Sequence, residues 1–138
     1  MNELKNWYHT NFAMMERLFK SPIILGNNYR WVRIERFLLP PMFLPGSTKL
    51  LIVLPGLQGI ENPASFTFYI TRNLRRTDGV LMEHYFQDSF YNDLRNKGYA
   101  RLSFHLKSWD PRLDVISGDN LVDICQALYN FLAQKKGV

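Results

Sequence analysis

The chain has very little cysteine: Cys125 is the only one among its 138 residues. A single thiol closes no disulfide within the chain and supplies no zinc site of thiolate ligands, so two common ways of stabilising a small domain are excluded. The three histidines, His9, His84 and His105, are scattered and form no metal motif, so we expect neither a metal nor another cofactor. This cysteine usage suits a reducing compartment, and the cytoplasm is the expected location.

Long apolar runs are also missing. The longest candidates, residues 37–46 (FLLPPMFLPG) and 50–57 (LLIVLPGL), are interrupted by prolines and fall well short of the roughly 18 residues of a membrane-spanning helix. Residues 1–19 carry charged side chains throughout, unlike a secretory signal. No glycine-rich phosphate loop precedes a helix. The sequence therefore predicts no membrane association and no nucleotide site.

The net charge of +5 is moderate, which makes nucleic acid an unlikely partner. Basic and aromatic residues do interleave in residues 29–37, as they would along a nucleic-acid groove. Two sets alternate there: Trp31, Arg33 and Glu35 on one side, and Val32, Ile34 and Arg36 on the other. Such alternation is typical of a half-buried strand, which is the simpler interpretation.

The residue patterns predict an α+β fold in a single domain, residues 1–138, which is large enough to bury a core without crosslinks. Apolar residues at helical spacing predict an N-terminal helix at 3–20 and a C-terminal helix at 119–135, capped by Asp119 or Asn120 and ending near the basic KKG. Four β-rich runs joined by short loops favour a four-stranded antiparallel meander: 23–26, 30–38, 49–54 and 65–70. Residues 81–97 show only loose helical spacing, and the segment after them is irregular.

This order of elements, together with three strings, resembles the ubiquitin-conjugating-enzyme (UBC) superfamily, and more closely its bacterial branch called prokaryotic family E. The strings are LLIVLPG at 50–56, SFTFYI at 65–70, and the long stretch 98–132. That stretch keeps several residues in the family's order: Gly98, Leu102, Trp109, Pro111 and a helix from Asn120. The resemblance spans most of the chain and implies a UBC-like fold with an irregular active-site segment before the closing helix.

The resemblance also implies an activity. Members accept the C-terminal acyl group of a ubiquitin-like protein from an activating enzyme and pass it to an amine of a protein target. The chain departs from the eukaryotic pattern, because no cysteine lies between Gly98 and Trp109 and the His-Pro-Asn motif is absent. A thioester at the usual place is therefore excluded. Family E has a similar Ser-x-His-Leu string, which here runs from Ser103 to Leu106.

Ser103 is the hydroxyl residue nearest to the position of the missing cysteine, so it is the predicted nucleophile. A serine hydroxyl needs a nearby base to remove its proton before it can attack. His105 is two residues after Ser103, and in extended backbone residues two apart point to the same side, so His105 is the predicted base. Asp114 or Asp110 could orient His105, although Asp110 before Pro111 is more simply a turn residue. Ser103 and His105 are also consistent with ordinary surface residues that have no catalytic role. In that case the chain is a catalytically inactive module that binds a ubiquitin-like protein or an activating enzyme.

Other residues have plainer interpretations. His84 is the other histidine near the presumed site and could take part in the chemistry, but a helix-surface position is its plainer interpretation. Trp109 and Pro111 are interpreted as packing residues that hold the active segment against the closing helix. Cys125 lies among apolar residues at helical spacing, so we expect it to be buried and unreactive. In the superfamily the first helix also contacts the activating enzyme, which makes four of its charged residues candidates for partner contact: Lys5, Glu16, Arg17 and Lys20.

Overall fold

The computed structural model describes residues 2–82, 84–87 and 93–134. Within these ranges the α-helices are α1 (Asn2–Phe19), α2 (Asp93–Asn96) and α3 (Leu121–Leu132). The strands are β1 (Ile23–Leu25), β2 (Trp31–Leu38), β3 (Phe43–Leu44), β4 (Ser47–Val53), β5 (Thr67–Thr71), β6 (Arg75–Arg76), β7 (Tyr85–Phe86) and β8 (Tyr99–Leu102).

The predicted meander is confirmed, but the prediction of four strands is wrong. In the part of the chain that the structure describes, six antiparallel strands form one sheet in the order β1-β2-β4-β5-β8-β7, and β3 pairs with β6 in a separate ribbon. The predicted irregular segment thus begins as β8, which lies along β5 with Phe68 opposite Leu102. Three of the four β8 residues are buried, so the strand lacks the polar and apolar alternation that marks a strand in a sequence.

Strand β2 shows the alternation expected of a half-buried strand until a register shift interrupts it. Val32 and Ile34 are fully buried, and the pairing with β4 is irregular between Ile34 and Phe37. Phe37 is consequently buried while Arg36 is exposed, so Arg36 does not share a side with the buried Val32 and Ile34 as the alternation predicts. Arg33, on the outer face, donates to both carboxylate oxygens of Glu35.

Helices α1 and α3 pack on the same side of the sheet and bury most of the core. The apolar positions predicted on α1 face this core, and Trp7, Tyr8, Phe12 and Met15 are at most 4% exposed. Asn11 is buried among them and joins the two helices: its side-chain amide donates to the Trp7 carbonyl and its Oδ1 accepts the first N–H of α3, at 2.7 Å.

Helix α3 begins where the sequence predicts and ends earlier. Asn120 is the N-cap, in a reciprocal capping box with Asp123. The helix ends at Leu132, and the basic residues of the KKG string lie outside the described residues. The cation at this end comes instead from β6, because the guanidinium of Arg76 donates to the carbonyls of Leu132 and Gln134 at 3.1 and 2.7 Å. A distant arginine therefore satisfies acceptors that the end of a helix leaves unpaired.

Candidate active site

Strand β8 delivers Ser103 to the edge of the sheet. The N–H of Ser103 donates to the carbonyl of His84 at 2.8 Å, and the N–H of Phe104 donates to the carbonyl of Leu102 at 3.0 Å. The second bond closes a three-residue γ-turn with Ser103 at its centre, a turn that is common at strand ends. The chain therefore turns out of the sheet directly after the bond that Ser103 makes to His84.

Phe104 anchors the turn. Its side chain is 9% exposed, and its ring centroid lies 5.2 Å from that of Phe68 in the sheet and 5.1 Å from that of Phe131 on α3. Because Phe104 points into the core, the residues on either side of it stay near the surface: Ser103 is half-buried and His105 is exposed. Both line the same groove between the end of β8 and helix α3.

The structure brings Ser103 and His105 together, as the parity argument predicts. Ser103 Oγ lies 3.4 Å from His105 Nε2. This is the long end of hydrogen-bonding distance, and it allows the serine hydroxyl to donate when Nε2 carries no proton. Hydrogen bonds between a nucleophile and its base are often long before substrate binds. The pair therefore has the geometry that deprotonation of Ser103 by His105 requires.

His84 is the functional candidate that the sequence reading assigned to the wrong element. It lies in a turn immediately before β7 rather than on a helix, and it lines the groove with Ser103 and His105. Its ring centroid is 5.9 Å from that of Phe131. Nothing in the sequence around His84 indicates that it lies near Ser103, because the two residues are brought together only by the pairing of β7 with β8.

The groove has a volume of about 680 Å³. Its apolar lining residues are Phe104, Leu106, Ala127 and Phe131. Polar side chains of the segment after β8, of α3 and of the residues just after α3 complete the lining, among them Lys107, Ser108, Asn130 and Gln134. A volume in this range accommodates an extended segment of a few residues or a long side chain. Among the residues that the structure describes, no carboxylate lines the groove, and its basic side chains are Lys107 and the two histidines.

The predicted role of Asp114 in orienting His105 finds no support in the contacts. The carboxylate of Asp114 accepts hydrogen bonds from the hydroxyl of Ser117 and from the N–H of Ile116, and these bonds close the turn that Asp114 begins. Asp110 accepts a hydrogen bond from Arg112 at 2.9 Å, in an exposed ion pair. Among the described residues, neither carboxylate bonds to His105, because short-range partners within the loop satisfy both.

Trp109 is a packing residue, but it packs against a different element from the one expected. Its indole N–H donates to the carbonyl of Ile60 at 2.6 Å, and its ring meets that of Phe66 edge-on, with the centroids 5.4 Å apart. Both partners belong to the connection between β4 and β5 rather than to α3. Pro111 forms a single parallel bridge with Asp119. The indole has an N–H that needs an acceptor, and this loop supplies a carbonyl whereas the apolar face of α3 does not.

Cys125 is fully buried on α3, as predicted. Burial raises the pKa of its thiol far above the ordinary value, which suppresses the thiolate that would act as a nucleophile. Over residues 2–82, 84–87 and 93–134, no group of three or more His, Cys, Asp or Glu side chains is arranged to hold a metal ion. The four charged residues singled out for partner contact are exposed, and one of them, Lys20, lies just after the end of α1 rather than on the helix.

Comparison with known proteins adds no relative: no protein-family model, no curated protein and no solved structure matches the chain. In the part of the chain that the structure describes, no helix is both long and apolar enough to cross a membrane.

Proposed function

We propose that this protein is an acyl carrier of the ubiquitin-conjugating kind, which accepts the C-terminal acyl group of a ubiquitin-like protein on Ser103 and passes it to an amine of a protein target. The observation that carries the proposal is the 3.4 Å approach of Ser103 Oγ to His105 Nε2 in an open groove. The pair occupies the segment that the family resemblance aligns with the missing cysteine. An activating-like enzyme is the implied donor.

The loading step follows from this geometry. Nε2 of His105 takes the hydroxyl proton as Oγ attacks the acyl carbon of the donor ester. The Oγ–C bond forms, the bond to the donor's leaving group breaks, and the leaving group departs with its electron pair. The product is an oxyester on Ser103, with the proton held on the imidazole of His105.

The experiment is intact-mass spectrometry after incubation with the activating-like enzyme, ATP and the ubiquitin-like protein. We expect an adduct that survives mild reductant and is cleaved by hydroxylamine. Ser103→Ala should abolish it, Ser103→Cys should convert it to a reductant-sensitive thioester, and His105→Ala should slow its formation by about 10²–10⁴-fold. Ser108→Ala is the matched control, since Ser108 is an exposed serine in the same groove.

A second candidate is a binding module that keeps the fold without the chemistry. One observation favours it: among the described residues, no carboxylate bonds to His105, because Asp114 is engaged by Ser117 and Ile116. An imidazole that no carboxylate holds in the correct orientation and tautomer is a less effective general base. A noncovalent complex with the ubiquitin-like protein or the activating-like enzyme, and no adduct from a competent donor, would favour this candidate.

A further inference from the structure

The ladder of β7 and β8 sets a second imidazole beside Ser103. Tyr85 is opposite Leu102 in this antiparallel pair, so the next opposing residues are His84 and Ser103, and the 2.8 Å bond from the Ser103 N–H to the His84 carbonyl continues the ladder. His84 lies in the turn just before β7 and Ser103 just after β8, so this bond holds the two residues opposite each other at the end of the ladder. Ser103 is therefore flanked by His105 along the chain and by His84 across the strands.

We propose that His84 is the base for the acceptor amine, and that the acceptor is a primary alkylamine such as a lysine side chain. This inference rests on the acyl-carrier function proposed above and concerns its second half. After loading, His105 holds the proton that Oγ must recover when it leaves. A second imidazole can take the proton that the amine loses while His105 returns its own proton to Oγ. His84 is placed for this role because it lines the same groove.

The transfer step balances with the groups present. The amine, having lost its ammonium proton to solvent, attacks the acyl carbon of the Ser103 ester. As the C–N bond forms, an N–H proton passes to the neutral imidazole of His84. The C–Oγ bond then breaks, and Oγ takes the proton held by His105. The products are an amide, free Ser103 and a protonated His84.

The groove suits this acceptor. The ring of Phe131 lies beside that of His84, and Ala127 continues the apolar wall, which would pack against the methylene groups of a lysine. Over residues 2–82, 84–87 and 93–134, the titratable side chains that line the groove are His84, His105 and Lys107. The Lys107 ammonium disfavours a second cation nearby, so the acceptor is favoured as the neutral amine that attacks.

The test separates the two half-reactions with small reagents. p-Nitrophenyl acetate is the acyl donor, n-butylamine is the acceptor, and intact mass follows the acetyl group on Ser103. We expect His105→Gln to slow acetylation by about 10²–10⁴-fold. We expect His84→Gln to leave acetylation within about threefold of wild type and to slow removal of the acetyl group by butylamine at least tenfold. His9→Gln, on α1, is the matched control and should change neither rate.

Two readouts distinguish a base from a structural residue. The rate of butylamine transfer is expressed per concentration of the unprotonated amine, and in His84→Gln this rate should no longer decrease at acidic pH. Hydroxylamine, whose conjugate acid is far stronger than an alkylammonium ion, should discharge the variant nearly as fast as wild type. His84→Asn is a second variant, and thermal unfolding of both should match wild type.

The outcomes are decisive. Equal slowing of both steps in His84→Gln, or of neither, overturns the role of His84, and so does a failure of p-nitrophenyl acetate to acylate Ser103. If Ser103 is acetylated and discharged as expected but is not loaded by the activating-like enzyme, the two-base site stands and the proposed conjugation function fails.

Discussion

Replacing the only cysteine should reveal its burial through the pH dependence of stability. Cys125 is 0% exposed, and α3 neighbours such as Ile124 and Leu128 are equally buried. Cys125→Ala removes one buried sulfur and gains a little helix propensity, so we expect the free energy of unfolding to fall by about 1 kcal/mol at pH 7. The variant should still form the Ser103 adduct, because the thiol takes no part in the proposed chemistry.

The sign of the pH effect follows from the raised pKa of the thiol. Its ordinary value is 9.0, and the folded protein holds it well above that. The unfolded chain therefore releases the thiol proton first, and the stability that the thiol contributes is complete below pH 9 and declines as pH rises. Because pH 10 is one unit above the ordinary pKa of the thiol, the free energy of unfolding of the wild type should by then have fallen by about 1.4 kcal/mol. The alanine variant has no such loss, so its stability should match the wild type between about pH 9.5 and 10.

The assay is urea unfolding followed by tryptophan fluorescence at pH 7, 8, 9 and 10, in the presence of reductant. Tyr8 also has a pKa raised by burial and destabilises the fold at high pH, but it is common to both proteins and cancels in their difference. Cys125→Ser is a control that buries an unpaired hydroxyl, at a further cost of about 1–3 kcal/mol, without a thiol that titrates. A difference between wild type and Cys125→Ala that stays constant from pH 7 to 10 would refute the reasoning.

Three further changes test the contacts that hold the groove and the sheet, each by urea unfolding. Asn11→Ala leaves the first N–H of α3 without its acceptor, so stability should fall by about 1–3 kcal/mol. Arg76→Met removes charged donors to the last carbonyls of α3, at a cost of about 1.5–3 kcal/mol. Glu35→Gln should cost at most about 1 kcal/mol at pH 7. Because Arg33 holds the pKa of Glu35 below its usual 4.5, that difference should vanish as pH falls well below 4.5.

Matched variants separate these effects from general damage. Asn130→Ala changes an exposed asparagine on α3, and Arg75→Met changes the exposed arginine beside Arg76. Both should leave the free energy of unfolding within about 0.5 kcal/mol of wild type. If Asn11→Ala or Arg76→Met costs no more than its matched variant, the corresponding contact with α3 does not stabilise the fold. A cost of Glu35→Gln that persists at pH 3 would rule out the ion pair as its source.

The sequence by itself determined the elements whose pattern is local. Apolar residues at helical spacing predict α1 and α3, and alternation with turn residues predicts the meander, because a helix or a strand exposes one face in a fixed period. The same period predicted that Ser103 and His105 lie side by side, and the apolar neighbours of Cys125 predicted its burial. Each of these inferences compares residues only a few positions apart.

Tertiary structure alone decided the rest of the site. The pairing of β8 with β5 and β7 brings His84 opposite Ser103, and the burial of most of β8 removes the alternation that would have marked it. Asp114 has partners within its own turn, and Trp109 finds its acceptor on a loop before β5. Arg76 likewise reaches the end of α3 from another ribbon. A hydrogen-bonding group takes whichever partner the closed chain brings near, and a sequence read locally does not contain that proximity.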